Sequence, residues 1–119
     1  MAGTVLISNA LVVNENKIEQ KDILIEDKKI AHIGSSIGIK YNEVYDASGL
    51  YVLPGIIDDQ VHFREPGLTS KGDIYSESRA AVSGGVTSYM EMPNTSPPTL
   101  SNSLLRAKQL TAQNNSFAN

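Results

Sequence analysis

The chain of 119 residues contains no cysteine and no tryptophan, and its few basic residues are not clustered. The lack of cysteine excludes disulfides and thiolate metal sites. Ten basic against 13 acidic residues give a net charge of −3, and because phosphate binding needs clustered Lys or Arg, no nucleic-acid partner is expected. No apolar run approaches the roughly 20 residues of a membrane helix, and the first residues lack the basic segment of a signal peptide. These absences predict a cytoplasmic, globular protein with no membrane partner.

Residues 1–53 have the pattern of a small all-β module, which we expect to be sandwich-like. Val-, Leu- and Ile-rich segments alternate with polar turns, and residues 4–9 and 10–14 are predicted to be two short strands. A hairpin is predicted with Asp27 and Lys28 at its turn. The module has no evident chemistry of its own.

From residue 54 onward, strands alternate with helices, which is typical of parallel α/β architecture. Asp73 is expected to cap the first helix, Gly84-Gly85 to end it, and Leu104, Ala107 and Thr111 to share a face of the second. The predicted elements are a strand over 55–63, a helix over 71–85, a strand over 86–92 and a helix over 103–115.

The second helix requires a third strand, and residues 116–119 are its expected approach. A complete eight-unit α/β barrel takes about 250 residues, so residues 54–119 are predicted to be the first two βα units of an incomplete barrel. We therefore expect the chain to be part of a longer enzyme. A natural small domain with an open sheet is the alternative.

Polar residues gather where the strand over 55–63 ends. Gln60, His62 and Arg64 alternate with hydrophobic residues, so their side chains are predicted to project from one face. His62 offers an imidazole nitrogen to zinc, and Arg64 offers a planar fork to a carboxylate or phosphate. Asp58 lies one step earlier and could orient a ligand. From the residues alone, an ordinary surface ion pair involving Arg64 explains the pattern equally well.

Two longer segments carry a family resemblance. "VLPGIIDDQVHFREPG" at 52–67 and "GGVTSYMEMPNTSPP" at 84–98 resemble, in the same order, the start of the dihydroorotases in the cyclic amidohydrolase superfamily. The superfamily also includes hydantoinases, dihydropyrimidinases and allantoinases. The resemblance covers essentially the whole chain and implies an amidohydrolase-type (β/α)8 barrel preceded by a small all-β module.

The resemblance implies roles for individual residues. His62 matches the second histidine of a zinc-binding His-x-His pair, and Arg64 matches an arginine that holds the substrate carboxylate. Asn94 matches an asparagine that binds the same substrate carboxylate. The presence of both Arg64 and Asn94 favours a dihydroorotase over the hydantoinase-like relatives. No catalytic residue is expected within this chain, because the remaining ligands and the catalytic aspartate come from later strands in that family.

Gln60 departs from the family pattern, since it stands at the position of the first histidine. An amide carbonyl is a poor substitute for imidazole on zinc. Three interpretations stay open: a site that holds one zinc firmly with Gln60 as a doubtful ligand, a two-zinc site completed by residues elsewhere, or a non-catalytic relative that binds a partner enzyme. The residue near the end of the second strand, Glu91, could also approach the site.

The activity implied by the resemblance is zinc-dependent, reversible interconversion of N-carbamoyl-L-aspartate and dihydroorotate in pyrimidine biosynthesis. The expected partner is this small-molecule substrate, and a homo-oligomer is compatible with the sequence. A hydantoinase- or dihydropyrimidinase-like hydrolase is a further alternative.

Overall fold

The computed structural model describes residues 3–35, 38 and 40–119, and the chain divides into two compact units at the Pro54–Gly55 junction. The first unit contains strands β1 to β5, and the second contains two strands and two helices. The elements are β1 (Thr4–Asn14), β2 (Lys17–Glu26), β3 (Lys29–Gly34), β4 (Glu43–Asp46), β5 (Tyr51–Val52), β6 (Ile56–Val61), α1 (Ile74–Ser83), β7 (Val86–Glu91) and α2 (Asn102–Asn115).

The first unit is a sheet with strand order β3-β2-β1-β4, in which β5 also pairs with β1. The pairs β1–β2 and β2–β3 are antiparallel, whereas β4 and β5 run parallel to β1. Asp27 and Lys28 form the β2–β3 turn with φ of 49° and 64°, the left-handed conformation of a tight hairpin. The predicted hairpin is therefore confirmed.

The prediction of two strands over residues 4–9 and 10–14 was wrong, because β1 is continuous. Its register with β2 shifts between Ile7 and Ala10, where Asn9 has a φ of 60°. A β-bulge of this kind bends a strand without ending it. Strand β4 pairs with β1 before the bulge and β5 after it, so the five described strands form one hydrogen-bonded sheet. The sandwich-like arrangement expected for residues 1–53 stays a prediction.

The second unit is built on the parallel pair β6–β7. Its core consists of Val61, Phe63 and Ile74, against which Ala81, Tyr89 and Ala112 pack. The Phe63 and Tyr89 rings lie 4.5 Å apart between centroids. This cluster joins the end of β6 to β7 and to both helices.

The free edge of β7 already has a partner in the last residue of the chain. Tyr89 N–H donates to Asn119 O at 2.8 Å, and Asn119 N–H donates to Thr87 O at 3.0 Å. One residue bonded to positions two apart on its neighbour is the pattern of parallel pairing. Asn119 therefore lies where the sequence predicts the approach to a third parallel strand, and that strand stays a prediction.

Helix α1 begins and ends at its predicted capping residues, but the buried face of α2 differs from the predicted one. Helix α1 begins after Asp73 and is capped at its end by Gly84, as predicted. In α2, the buried member of the inner face is Lys108, which the expected stripe of Leu104, Ala107 and Thr111 left out. No helix in the described part of the chain is long and apolar enough to cross a membrane.

The loops after β6 and β7 are joined to each other. Ser96 N–H donates to Pro66 O at 3.0 Å, and Thr95 is buried with its hydroxyl donating to Pro97 O at 2.9 Å. Gly67, with a φ of 83°, lies so close to the Ser96 carbonyl that a Cβ there would collide with it. The two loops therefore form one layer above the parallel strands.

Acid should weaken the cap of α1. The backbone N–H and then the hydroxyl of Ser76 bond the Asp73 carboxylate and lower its pKa below the ordinary 3.8. A lowered folded-state pKa gives stability that is present above the unfolded value and lost as pH falls through the folded one. We expect Asp73→Ala to lower Tm near neutral pH, and to lower it progressively less as the pH falls below the ordinary pKa of the carboxyl group. Asp73→Asn, which still caps, is the control; an equal loss for Asp73→Ala at neutral and acid pH would contradict this account.

Gly67→Ala should destabilise the protein beyond the cost of its backbone conformation. Gly49 has a similar φ of 77° but open space around its Cα, so Gly49→Ala isolates the conformational cost, about 1–2 kcal/mol for a left-handed L-residue. The added cost at Gly67 comes from displacing the Ser96 carbonyl. Urea denaturation of both variants measures the difference, and equal losses would show that the loops are not in close contact.

Candidate functional site

The end of β6 presents its polar side chains on the face opposite the core. Val61 and Phe63 are 8% and 6% exposed, whereas Gln60 and His62 are exposed. Two-residue alternation explains this separation, since successive side chains of an extended chain point to opposite sides. His62 is therefore accessible where the strand opens into its loop.

The structure brings His62 together with Asn94. Nδ1 of His62 lies 2.9 Å from Oδ1 of Asn94, across 32 residues of sequence. Because the amide oxygen is an acceptor, the imidazole that satisfies this contact carries its proton on Nδ1. The lone pair of Nε2 then remains available for a ligand, as in metal-binding histidines whose other nitrogen donates to an oxygen.

Arg64 occupies a strained position two residues after His62. Its φ is 71°, in the left-handed region that non-glycine residues rarely adopt, and its carbonyl accepts from Leu68 N–H at 3.0 Å. Strain of this kind concentrates at functional sites, where the surroundings enforce it. Within residues 40–119, which the structure describes without a gap, no hydrogen bond joins the Arg64 guanidinium to Asn94. The two residues predicted to bind a carboxylate stand on separate loops: Arg64 follows β6 and Asn94 follows β7.

Asp58 and Gln60 contact each other through the backbone. The register of β6 with β7 shifts between Asp58 and Val61, and Asp58 Oδ1 accepts from Gln60 N–H at 3.0 Å. The partner of the His62 ring is Asn94, not Asp58. The orienting role of Asp58 and the ligand role of Gln60 thus remain predictions.

Two charged residues hold the strand ends in place, and one of them was missed from the sequence. Glu91 and Lys108 form an ion pair whose side chains are 8% and 9% exposed. Glu91 Oε1 also accepts from Phe63 N–H at 3.0 Å, and Lys108 Nζ donates to Met92 O at 3.1 Å. Burial lowers the pKa of Lys108, and the adjacent carboxylate supplies its counter-charge. The available signal was the spacing of Lys108 from Leu104 and Thr111, which places it on the inner stripe of α2.

The loop after β6 is also tied to α1. Glu65 Oε2 accepts from Ile74 N–H at 3.0 Å, which satisfies one of the free donors at the start of the helix. Together with the Phe63 and Pro66 contacts, this bond holds the loop at three points. The residues next to His62 are thus fixed by neighbours that do not themselves face the site.

These residues provide one imidazole but not a complete metal centre. Among residues 3–35, 38 and 40–119, no three His, Cys, Asp or Glu side chains are grouped to hold a metal. Zinc sites in enzymes use three protein ligands or more. His62 fits as one such ligand through Nε2, and the donor set described here is otherwise insufficient.

No family model matches the chain. Individual proteins do match it. A protein named dihydroorotase from Pelotomaculum thermopropionicum is 50% identical over 94 residues, which are 77% of this chain and 22% of that protein. A dihydroorotase from Lactococcus lactis is 47% identical over 96 residues, 79% of this chain and 23% of its own length. The chain thus spans less than a quarter of the curated relatives it matches.

The solved structures that resemble this chain are hydantoinases, which belong to a different branch of the same superfamily. The L-hydantoinase (dihydropyrimidinase) of Arthrobacter aurescens superimposes with a TM-score of 0.87 and 32% identity, covering 94% of this chain and 25% of that one. The expected fold class is confirmed: an all-β module followed by the start of an amidohydrolase-type barrel, too short here to close. The chain therefore belongs to the cyclic amidohydrolase superfamily, as a relative of the dihydroorotases.

Proposed function

We propose that this sequence belongs to a dihydroorotase, which interconverts N-carbamoyl-L-aspartate and dihydroorotate. The observation that supports this most is the 2.9 Å contact between Asn94 and His62, because it brings the loop of Asn94 to the strand end that leads into Arg64. A guanidinium and an amide at two neighbouring strand ends offer several donors to the substrate carboxylate. The higher identity to dihydroorotases, 50% against 32% for a hydantoinase, favours the same substrate.

In this proposal, Arg64 and Asn94 bind and orient the substrate and take no part in proton transfer. The guanidinium donates to one or both carboxylate oxygens, and the Asn94 amide N–H₂ donates to the same group while Oδ1 keeps its contact with His62. Fixing the ring in this way places its amide bond over the strand end.

His62 would contribute Nε2 to a zinc site whose other ligands lie outside the described set. The Asn94 contact holds the ring in the tautomer this requires. When zinc is bound, its chemistry is to polarise the amide carbonyl and activate water for hydrolysis. We place one zinc firmly at this site, with Gln60 a weak ligand, and we assign the enzyme to cytoplasmic pyrimidine biosynthesis.

Two other functions have specific support. The structural similarity to hydantoinases favours a hydrolase of cyclic amides that lack the carboxylate. Gln60, in place of a histidine, favours a non-catalytic relative that binds a partner enzyme. Arg64 and Asn94 argue against both, since neither a neutral substrate nor a scaffold needs a pair that binds a carboxylate.

Substitution of the carboxylate-binding residues should raise KM for dihydroorotate. In the complete enzyme that carries this sequence, Arg64→Gln and Asn94→Ala are each expected to raise KM by about 10- to 100-fold, because a hydrogen bond to a charged group contributes about 1.5–3 kcal/mol. Steady-state kinetics with dihydroorotate measure this, with Arg79→Gln on the exposed face of α1 as the matched control. Unchanged KM together with turnover of hydantoin would favour the hydantoinase alternative.

Zinc content separates the enzyme from the non-catalytic relative. We expect the complete protein to contain zinc and turn over dihydroorotate, and Gln60→His to increase the tightly bound zinc, because imidazole is a better zinc ligand than an amide oxygen. The isolated 119-residue chain is expected to be inactive. Gln109→His on α2 controls for an added histidine, and elemental analysis and hydrolysis are measured on one sample. Protein without zinc or turnover would establish the non-catalytic relative.

A further inference from the structure

The buried Glu91–Lys108 pair connects both loops of the site. Glu91 ends β7, and its Oε1 accepts the N–H of Phe63, the residue between His62 and Arg64. Its Oε2 pairs with Lys108, whose Nζ donates to Met92 O at 3.1 Å, two residues before Asn94. One carboxylate and one ammonium therefore fix the starting points of the two segments that carry the proposed substrate-binding residues.

Stability alone does not account for this pair. Removing two charges from water costs several kcal/mol per ion, and well-packed apolar residues of similar size commonly stabilise a protein as well or better. At 8% and 9% exposure, both side chains bear that cost. Neither charge lies on the exposed face with His62, so direct substrate contact does not account for the pair either.

The hydrogen bonds that Glu91 and Lys108 make to the backbone explain why charged residues are present here. An apolar pair would leave Phe63 N–H and Met92 O without partners, and each would be free to shift relative to the other strand end. A displacement of about 1 Å at a binding group is enough to cost on the order of 100-fold in rate. The two strand ends are joined by a further bond, from Met92 N–H to Val61 O at 3.0 Å, so the pair completes a closed set of contacts.

We propose that Glu91 and Lys108 are positioning residues that hold Asn94 at the correct distance from His62 and Arg64 for binding the substrate carboxylate. The assignment rests on the function proposed above. Lys108 acts on the Asn94 loop through Met92, and Glu91 acts on the Arg64 loop through Phe63.

The decisive variant removes the charges together. In Glu91→Gln/Lys108→Met, no buried charge is left unpaired and the amide oxygen retains an acceptor for Phe63 N–H, whereas the contact between positions 91 and 108 and the donor to Met92 O are lost. We expect this double variant to fold with a Tm near that of the parent, and to show KM for dihydroorotate raised on the order of 10-fold with kcat changed less. Lys108→Met alone leaves the carboxylate unpaired and should lower Tm as well.

Ser78→Ala is the control for a purely structural effect. Ser78 is fully buried, and its hydroxyl accepts from Phe117 N–H at 3.1 Å, away from the loops of the site, so its loss should lower Tm without raising KM. A double variant with parental KM would overturn the proposal. So would a KM increase in Ser78→Ala as large as in the double variant.

A crystal structure of the double variant decides the matter independently of turnover. The proposal expects the 2.9 Å contact between His62 Nδ1 and Asn94 Oδ1 to lengthen or become disordered. An unchanged contact would overturn it. If the parent protein shows no turnover of dihydroorotate, the proposed function fails, while this structural comparison still tests the positioning role.

Discussion

The carboxylate of Glu91 is the interaction on which the geometry of the candidate site depends. It lies at the end of β7, buried, and it is balanced by Lys108 from α2. Through Phe63 N–H it also reaches the end of β6. Breaking such a pair by removing one partner costs about 3–5 kcal/mol, so strand ends and helix cannot move apart separately. Parallel strands bring their carboxyl ends to one edge of the sheet, and this carboxylate sets how far apart those ends stand.

The loops above the strands extend the same constraint to the surface. Ser96 N–H bonds Pro66 O, and Gly67 permits the close approach that this bond needs. Glu65 ties the first loop to the start of α1. As a result, Arg64 is held at a positive φ by bonds on both sides of it. A strained residue kept in place by its neighbours is already organised before a ligand arrives.

Local signals in the sequence predicted the helix ends of the second unit and the exposed side of the β6 end. Asp73 and Gly84 mark the ends of α1, and alternation places His62 opposite Phe63. Features that depend on contacts between residues far apart in the sequence were not predicted. Lys108 is a charged residue on an inner helical stripe, and only its contact with Glu91, 17 positions earlier, explains its burial. The bulge at Asn9 likewise follows from pairing with β2, so the polar residues there suggested a strand end where the strand in fact continues.

The chain is similar in sequence to dihydroorotases and in structure to hydantoinases, because the two comparisons depend on different parts of the molecule. The strands, helices and buried pair set the backbone, and a scaffold of this kind serves substrates with and without a carboxylate. Under the proposed function, the choice of substrate would lie in side chains on the loops, where Arg64 and Asn94 are found. A neutral cyclic amide would leave these donors without a partner, and an unmatched polar site rejects a ligand more strongly than an apolar pocket does. If the proposal holds, two side chains on loops that the scaffold already holds in place are enough to separate one cyclic amidohydrolase from another.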